Sequence, residues 1–207
     1  MGTTSEPRII LDLCGGTGSW SRPYREAGYD VRVVTLPMDD VRTYLPPQNV
    51  HGILAAPPCT EFSIVKDHKL PRDLDGALDI VRACQRIIDH CAPAFWAIEN
   101  PVGYLRDSLG APVYSFQPWW FGDGWCKRTF LWGTFTAPKR THERWEDVPQ
   151  IPGLYVRPGR KRPSIAFNHK SHAQYIEAFK GMRLETDAAF RAVTPPGFAQ
   201  AFFQANP

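Results

Sequence analysis

Four short apolar runs punctuate the first half of the chain: residues 8–13 (Arg-Ile-Ile-Leu-Asp-Leu), Asp30–Thr35, Val50–Ala55 and Phe95–Ile98. Each has the length of a buried strand and is too short for a core helix. Between the first two, a helix is expected from about Ser19 to Ala27, ended by Gly28. A second helix is expected from about Asp75 to Cys91, where Leu78, Val81, Ile87 and Ile88 recur at helical spacing. The order strand, helix, strand, strand, helix, strand predicts an α/β fold: an open, doubly wound and mostly parallel sheet with helices on its faces.

After Gly110 the periodicity weakens. Thr129–Phe135 reads as a further strand. Residues 136–170 are rich in Pro, Arg, Lys and His and read as irregular, with a helix expected over Ser171–Phe179. Pro195-Pro196-Gly197 then makes a turn into a last helix through Phe203. The chain therefore divides into an α/β domain (1–135), a very small irregular insertion (136–190) and a C-terminal segment that packs back on the first part (191–207).

Composition excludes some classes. With 43% hydrophobic and 22% charged residues over 207 positions, the chain is an ordinary globular domain. The net charge of +3 permits a polyanionic partner without demanding one. The five cysteines (Cys14, Cys59, Cys84, Cys91, Cys126) are odd in number and form no Cys-x-x-Cys pair, which argues against a disulfide framework or a zinc knuckle. A reducing, cytoplasmic setting is the simplest reading. The N-terminus shows no signal-peptide pattern, and no apolar run is long enough to span a bilayer. His142, His169 and His172 lack acidic or cysteine partners at ligand spacing, so no metal site is expected.

Three strand ends carry the chemistry. The first is Asp12-Leu13-Cys14-Gly15-Gly16-Thr17-Gly18. In a doubly wound sheet such a turn lies in the ligand crevice, and its glycines let a ligand approach the backbone. It lacks the Gly-x-Gly-x-x-Gly of a dinucleotide site and the Gly-Lys-Ser/Thr of a phosphate loop, so a nucleoside cofactor without a phosphate chain fits better. By itself it also reads as a ligand-free turn. The second is Ala56-Pro57-Pro58-Cys59-Thr60-Glu61-Phe62-Ser63, where two prolines stiffen the approach to Cys59. A thiolate there would be a nucleophile, although a lone cysteine is more often a small buried thiol. The third is Glu99-Asn100, a carboxyl group able to donate a proton in a pocket, or else an exposed strand end. The order of turn, Cys and Glu at the ends of successive strands is more specific than any one of them.

Taken together, these residues resemble the cytosine-C5 DNA methyltransferase family. Asp12–Gly18 resembles its cofactor turn, Pro57-Pro58-Cys59 with Phe62-Ser63 its nucleophile motif, and Glu99-Asn100 its Glu-Asn motif. Lys127-Arg128-Thr129, leading to Trp132-Gly133, is similar to its Arg-bearing motif, and Gly197-Phe198-Ala199 to its closing motif. The resemblance covers most of the chain outside about 136–190. It implies a Rossmann-like fold that uses S-adenosylmethionine, with residues 12–18, Asp40 and Pro57 toward the cofactor. It further implies Cys59 attacking C6 of a cytosine, Glu99 at N3, and Arg128 at O2 or at a nearby phosphate. Pro58, Ser63, Asn100, Lys127, Arg160 and Arg162 would lie toward the substrate, a flipped cytosine in DNA. The sequence departs from the family in places. Thr60 replaces the common Gln, Pro101 replaces Val, and Phe130 occupies the place of a second Arg. Val34-Thr35-Leu36-Pro37 lacks the ribose-binding acid, leaving Asp39 or Asp40 to contact the adenine amine.

Other features admit two readings. Ile64–Asp73, with Lys66, His68, Lys69 and Arg72, reads as a loop closing over the base or as a solvated surface loop. Arg157, Arg160, Lys161, Arg162 and Lys170 read as phosphate contacts or as a solvated face. The short recognition segment also suits a free cytosine nucleotide or a single-stranded nucleic acid. The missing ribose acid suits a catalytically silent relative. A Cys-dependent hydrolase is disfavoured because no motif places a His beside Cys59.

Overall fold

The computed structural model describes residues 6–66 and 70–207. Six strands form one sheet: β1 (Ile9–Leu13), β2 (Asp30–Val34), β3 (Val50–Ala55), β4 (Phe95–Pro101), β5 (Tyr114–Phe116) and β6 (Thr129–Thr134), in the order β2-β1-β3-β4-β6-β5. The first three pairings, β1 with β2, β1 with β3 and β3 with β4, are parallel. The last two, β4 with β6 and β6 with β5, are antiparallel. The sheet is therefore mixed. β5, only three residues long, gives no periodic signal in the sequence.

Helices cover both faces. On one face, α2 (Leu74–Cys91) lays Val81, Cys84, Ile87 and Ile88 over Leu11, Leu13, Ile53 and Ile98. Asp73 caps its start by accepting the Gly76 N–H at 2.9 Å, and a Cβ on residue 76 would lie 2.4 Å from that carboxylate. On the other face, α1 (Arg22–Glu26) and α5 (Pro196–Ala205) bury Tyr24, Phe198 and Phe202 against Ile10, Leu54, Ala97 and Leu131. α1 is shorter than the expected Ser19–Ala27. Pro23 has no N–H to give, so it is tolerated only in the first turn, and the helix begins beside it.

The closing helix is fixed tightly. Phe198 stacks on Phe116 with ring centroids 3.7 Å apart. Asp123 accepts the Gly197 N–H at 3.1 Å. A side chain at residue 197 would meet the Phe121 carbonyl oxygen at 2.0 Å, so only glycine allows α5 to seat. Burial pushes the Asp123 carboxyl up to about 7. Asn206 exchanges two hydrogen bonds with the backbone of Thr136, at 2.7 and 3.0 Å, and so ties the C-terminus to the end of β6.

The segment after β6 builds a small core with Trp125, which precedes that strand: Leu154, Ile165, Ile176, Phe179, Phe190 and Val193 pack with its indole. The helix expected over Ser171–Phe179 is replaced by two 3₁₀ segments, Lys170–Tyr175 and Glu177–Phe179. Ala173, Ile176 and Phe179 face this core at a spacing of three, the period of a 3₁₀ turn and not of an α-helix. Two short helices that the sequence does not signal complete the chain: α3 (Leu105–Leu109) and α4 (Asp187–Ala192). No helix among the described residues is long and apolar enough to cross a membrane.

Candidate active site

The parallel strands β1 and β3 and the strand β4 deliver their C-terminal ends to one cavity of about 630 Å³. Asp12, Cys14, Gly15, Gly16 and Thr17 form one wall, Pro57, Pro58 and Cys59 a second, and Glu99 with Lys127 a third. The side facing them comes from Gly181, Met182, Arg183, Ala189, Ala192 and Thr194.

The β1 turn is strained in the way its composition foretells. Cys14 and Gly16 adopt φ of 56° and 54°, and a Cβ on residue 15 would lie 2.4 Å from the Asp12 carboxyl carbon. Asp12 is fully buried. Its Oδ2 accepts the Ser21 hydroxyl at 2.5 Å, while Oδ1 has no partner among the described residues. Burial pushes this carboxyl up to about 6, against the pull of the Ser21 hydrogen bonds and the Arg25 charge. The indole N–H of Trp20, also buried and on the cavity wall, likewise has no partner among the described residues. Two polar atoms without partners beside one cavity mark a place where a polar ligand would recover their hydrogen bonds.

The Cys59 loop is anchored at both ends. The Phe62 and Ser63 amides donate to the Cys59 carbonyl at 3.1 and 2.8 Å. Phe62 is buried, and its carbonyl accepts the Tyr104 N–H at 2.9 Å. This approach needs a glycine opposite, because a Cβ on residue 103 would fall 2.0 Å from the Phe62 oxygen. Asn100, fully buried, donates to the Pro57 carbonyl at 2.9 Å and so locks the end of β4 to the proline strap. Asn100 Oδ1 has no partner among the described residues. Glu99 and Cys59 are thereby held on neighbouring walls. Burial raises the Cys59 thiol above its ordinary value; the Lys127 charge pulls it down and Glu99 pushes it up.

Lys127 reaches into the cavity and its Nζ lies 3.6 Å from Glu99 Oε1, both side chains nearly buried at 12% and 13% exposure. Arg128, one residue on, is exposed, and its guanidinium lies 5.9 Å from the Phe130 ring centroid. Consecutive residues entering a strand point to opposite sides, so only one of the two basic groups can face the cavity, and it is the lysine.

Other residues singled out in the sequence lie elsewhere. Leu13 is core, and Gly18 packs near Val33. Asp40 is outside the cavity wall, and both its oxygens are engaged by the Arg42 guanidinium. Ser63 turns its hydroxyl to the Val65 N–H at 3.2 Å. Arg162 sits between Trp119 and Trp145, 5.1 and 5.0 Å from their centroids, and Arg160 is exposed. In the loop expected to close over a base, Lys66 binds Glu61 and Arg72 donates to the Glu61 carbonyl, both at 2.5 Å. These two cations thus bind within their own loop; His68 and Lys69 lie outside the described residues. Among the described residues no group of three or more His, Cys, Asp or Glu is placed to hold a metal ion.

The cavity wall also holds Thr35 and Leu36, where the family's ribose-binding acid would stand, and Trp20 with the six residues from Gly181 to Thr194 named above, which the sequence does not point to. Thr194 arrives because its N–H donates to the Ser19 hydroxyl at 2.9 Å, a contact spanning most of the chain. Only the helix-capping pattern Thr186-x-x-Ala189 could have hinted at structure there.

No protein-family model matches the chain, and no curated protein does. Among solved structures, the chain is similar to a candidate DNA modification methyltransferase encoded within an E. coli prophage, at 17% identity and a TM-score of 0.44, over 60% of this chain and 45% of that one. It is also similar to the Dnmt2 methyltransferase of S. pombe, at 14% identity and a TM-score of 0.42, over 61% of this chain and 50% of that one. The chain spans about half the length of either.

Proposed function

We propose that this protein transfers a methyl group from S-adenosylmethionine to C5 of cytosine in DNA, through a covalent bond between Cys59 and C6. The observation that carries the reading is one cavity with a thiol, a carboxyl and an ammonium on adjacent walls and a strained glycine turn beside them.

The residues present fit the cofactor. The unpartnered Asp12 Oδ1 and Trp20 N–H would receive its polar groups. The space over Gly16 is open, since a Cβ there would meet nothing within 4 Å, and this leaves the backbone accessible. Bound there, the sulfonium supplies an electrophilic methyl.

The remaining chemistry falls to side chains of the cavity. The pyrimidine ring is aromatic and its C5 is a poor nucleophile. The Cys59 sulfur bonds to C6 and breaks that aromaticity, and electron density moves toward N3. Lys127 and Glu99 stand where that charge develops: the ammonium offers a positive charge, and Glu99, once protonated, offers its O–H to N3. Lys127 also favours the thiolate of Cys59. C5, now enamine-like, takes the methyl group. Loss of the C5 proton to a base and breaking of the S–C6 bond restore the aromatic ring and free the thiol. Asn100 and Pro57 hold the two arms of the site and do not react.

The test is a covalent trap. A 5-fluorocytosine oligonucleotide with S-adenosylmethionine should give an adduct with the wild type that survives denaturing electrophoresis, because fluorine cannot leave C5 as the proton does. Cys59→Ala should give no adduct and no 5-methylcytosine. Methyl transfer by Cys59→Ala at the wild-type rate would end the mechanism.

A further inference from the structure

The segment after β6 presents a surface that the catalytic cavity does not use. Tyr155, Phe167 and Tyr175 expose 45%, 42% and 46% of their area. Isolated exposed rings are ordinary, but these are held together by buried structure. Asn168, fully buried, gives its side chain to the segment of Tyr155: Oδ1 accepts the Tyr155 N–H at 2.8 Å and Nδ2 donates to the Tyr155 carbonyl at 3.1 Å. That pairing fixes the backbone of Tyr155 to the residue that follows Phe167. Arg157 then lies over the Phe167 ring, 4.5 Å from its centroid. The Tyr175 ring covers the backbone of Gly153, where a Cβ would be 2.8 Å away.

The same segment is cationic. Arg157, Arg160 and Lys161 are exposed, and none has a carboxylate within salt-bridge distance among the described residues. The strip is tied by its backbone to the segment that leads to the catalytic cavity. Arg162 ends it between two tryptophans, and the next residue, Pro163, accepts the Cys126 N–H at 2.9 Å while the Ile165 N–H donates back to the Cys126 carbonyl at 3.1 Å. Cys126 is the neighbour of Lys127, which lines the cavity.

We infer that this strip binds the unpaired DNA strand flanking the target cytosine, with bases stacked on Tyr155 and Phe167 and phosphates on Arg157, Arg160 and Lys161. Exposed rings interleaved with unpaired cations match a single strand, whose base faces are free; in a duplex those faces are already stacked on one another. The inference deepens the proposed methyl transfer by naming its substrate as single-stranded DNA, and rests on it for that purpose alone.

The experiment measures binding and chemistry separately. Fluorescence anisotropy follows a labelled cytosine-containing strand of about 12 nucleotides, within the span of a single-strand binding groove, and the same strand annealed to its complement. It is run with wild type and with Tyr155→Leu and Phe167→Leu. Leucine removes the ring and keeps the apolar bulk. The wild type should bind the single strand more tightly than the duplex. Each leucine variant should lose at least about fivefold on the single strand, with little change on the duplex. Arg160→Ala with Lys161→Ala should lower the slope of log affinity against log salt by about 1.4. Equal affinity for both forms, or leucine variants that bind the single strand like wild type, would overturn the inference. Adduct formation on a single-stranded 5-fluorocytosine oligonucleotide is scored in parallel. An adduct without the leucine effect sinks the strip alone; the leucine effect without an adduct sinks the methyl-transfer reading alone.

Discussion

Replacing Asp12 by Asn probes the base of the site through stability as well as binding. Asp12 is fully buried, and its carboxyl is raised from 3.8 to about 6, chiefly by that burial. The folded state therefore holds the proton more tightly than the unfolded chain does. The contribution of Asp12 to wild-type stability is greatest below pH 3.8, falls as pH rises through about 6, and is level above that. The difference of about 2 pH units, at about 1.4 kcal/mol each, makes the ionised Asp12 cost about 3 kcal/mol at about pH 8. Asn carries no such dependence. The stability of Asp12→Asn relative to wild type should thus improve by about 3 kcal/mol between about pH 3 and about pH 8, or roughly 6–12 °C in Tm for a chain of this length. Asp123 also titrates, but it is common to both proteins and cancels in the difference. Urea or thermal unfolding across that range measures the effect. The same carboxylate should attract the cationic end of S-adenosylmethionine, so wild-type affinity should rise as pH passes through about 6 while the variant's stays flat and weak. Parallel stability curves for the two proteins would refute the reasoning, because they would mean that Asp12 is solvated or hydrogen-bonded well enough to ionise freely.

Lys127→Met should slow adduct formation about 10- to 100-fold at about pH 7, the worth of one charged hydrogen-bonding partner, and move the pH–rate profile upward because Cys59 loses the cation beside it. Arg128→Ala should change the profile far less, and an equal effect of the two would contradict the cavity assignment. Gly103→Ala should cut turnover while leaving cofactor affinity nearly unchanged, since the new Cβ displaces the Phe62 carbonyl and with it the Cys59 loop, and not the β1 turn. Phe198→Ala should destabilise the protein by about 3–5 kcal/mol in urea titration, because the ring is fully buried and stacked on Phe116.

The α/β half is legible in the sequence because short-range rules govern it. β3 spans Val50–Ala55 as its apolar run foretells, and α2 starts one residue before the expected Asp75. Strand-end placement puts Asp12, Cys59 and Glu99 on one cavity wall after another, because neighbouring parallel strands end on the same side of a sheet. Where expectation and structure part, the direction a side chain takes or the packing of a segment decides. Arg128 carries the more conspicuous charge, yet strand alternation turns Lys127 inward. Asp40 could reach a ligand by its place in the sequence, but the side chain of Arg42, two residues on, folds back across it. Ser171–Phe179 has the composition of a helix, but a small core demands contacts every third residue.

Local chemistry alone thus specifies the strands, the glycine turn and the residue types at their ends, because apolar periodicity and backbone strain act within a few neighbours. It does not specify which side chain crosses the cavity, or that residues 181–194 would close it. Those outcomes depend on contacts between distant positions, such as Thr194 with Ser19 and Asn168 with Tyr155, which form only when the chain packs as a whole.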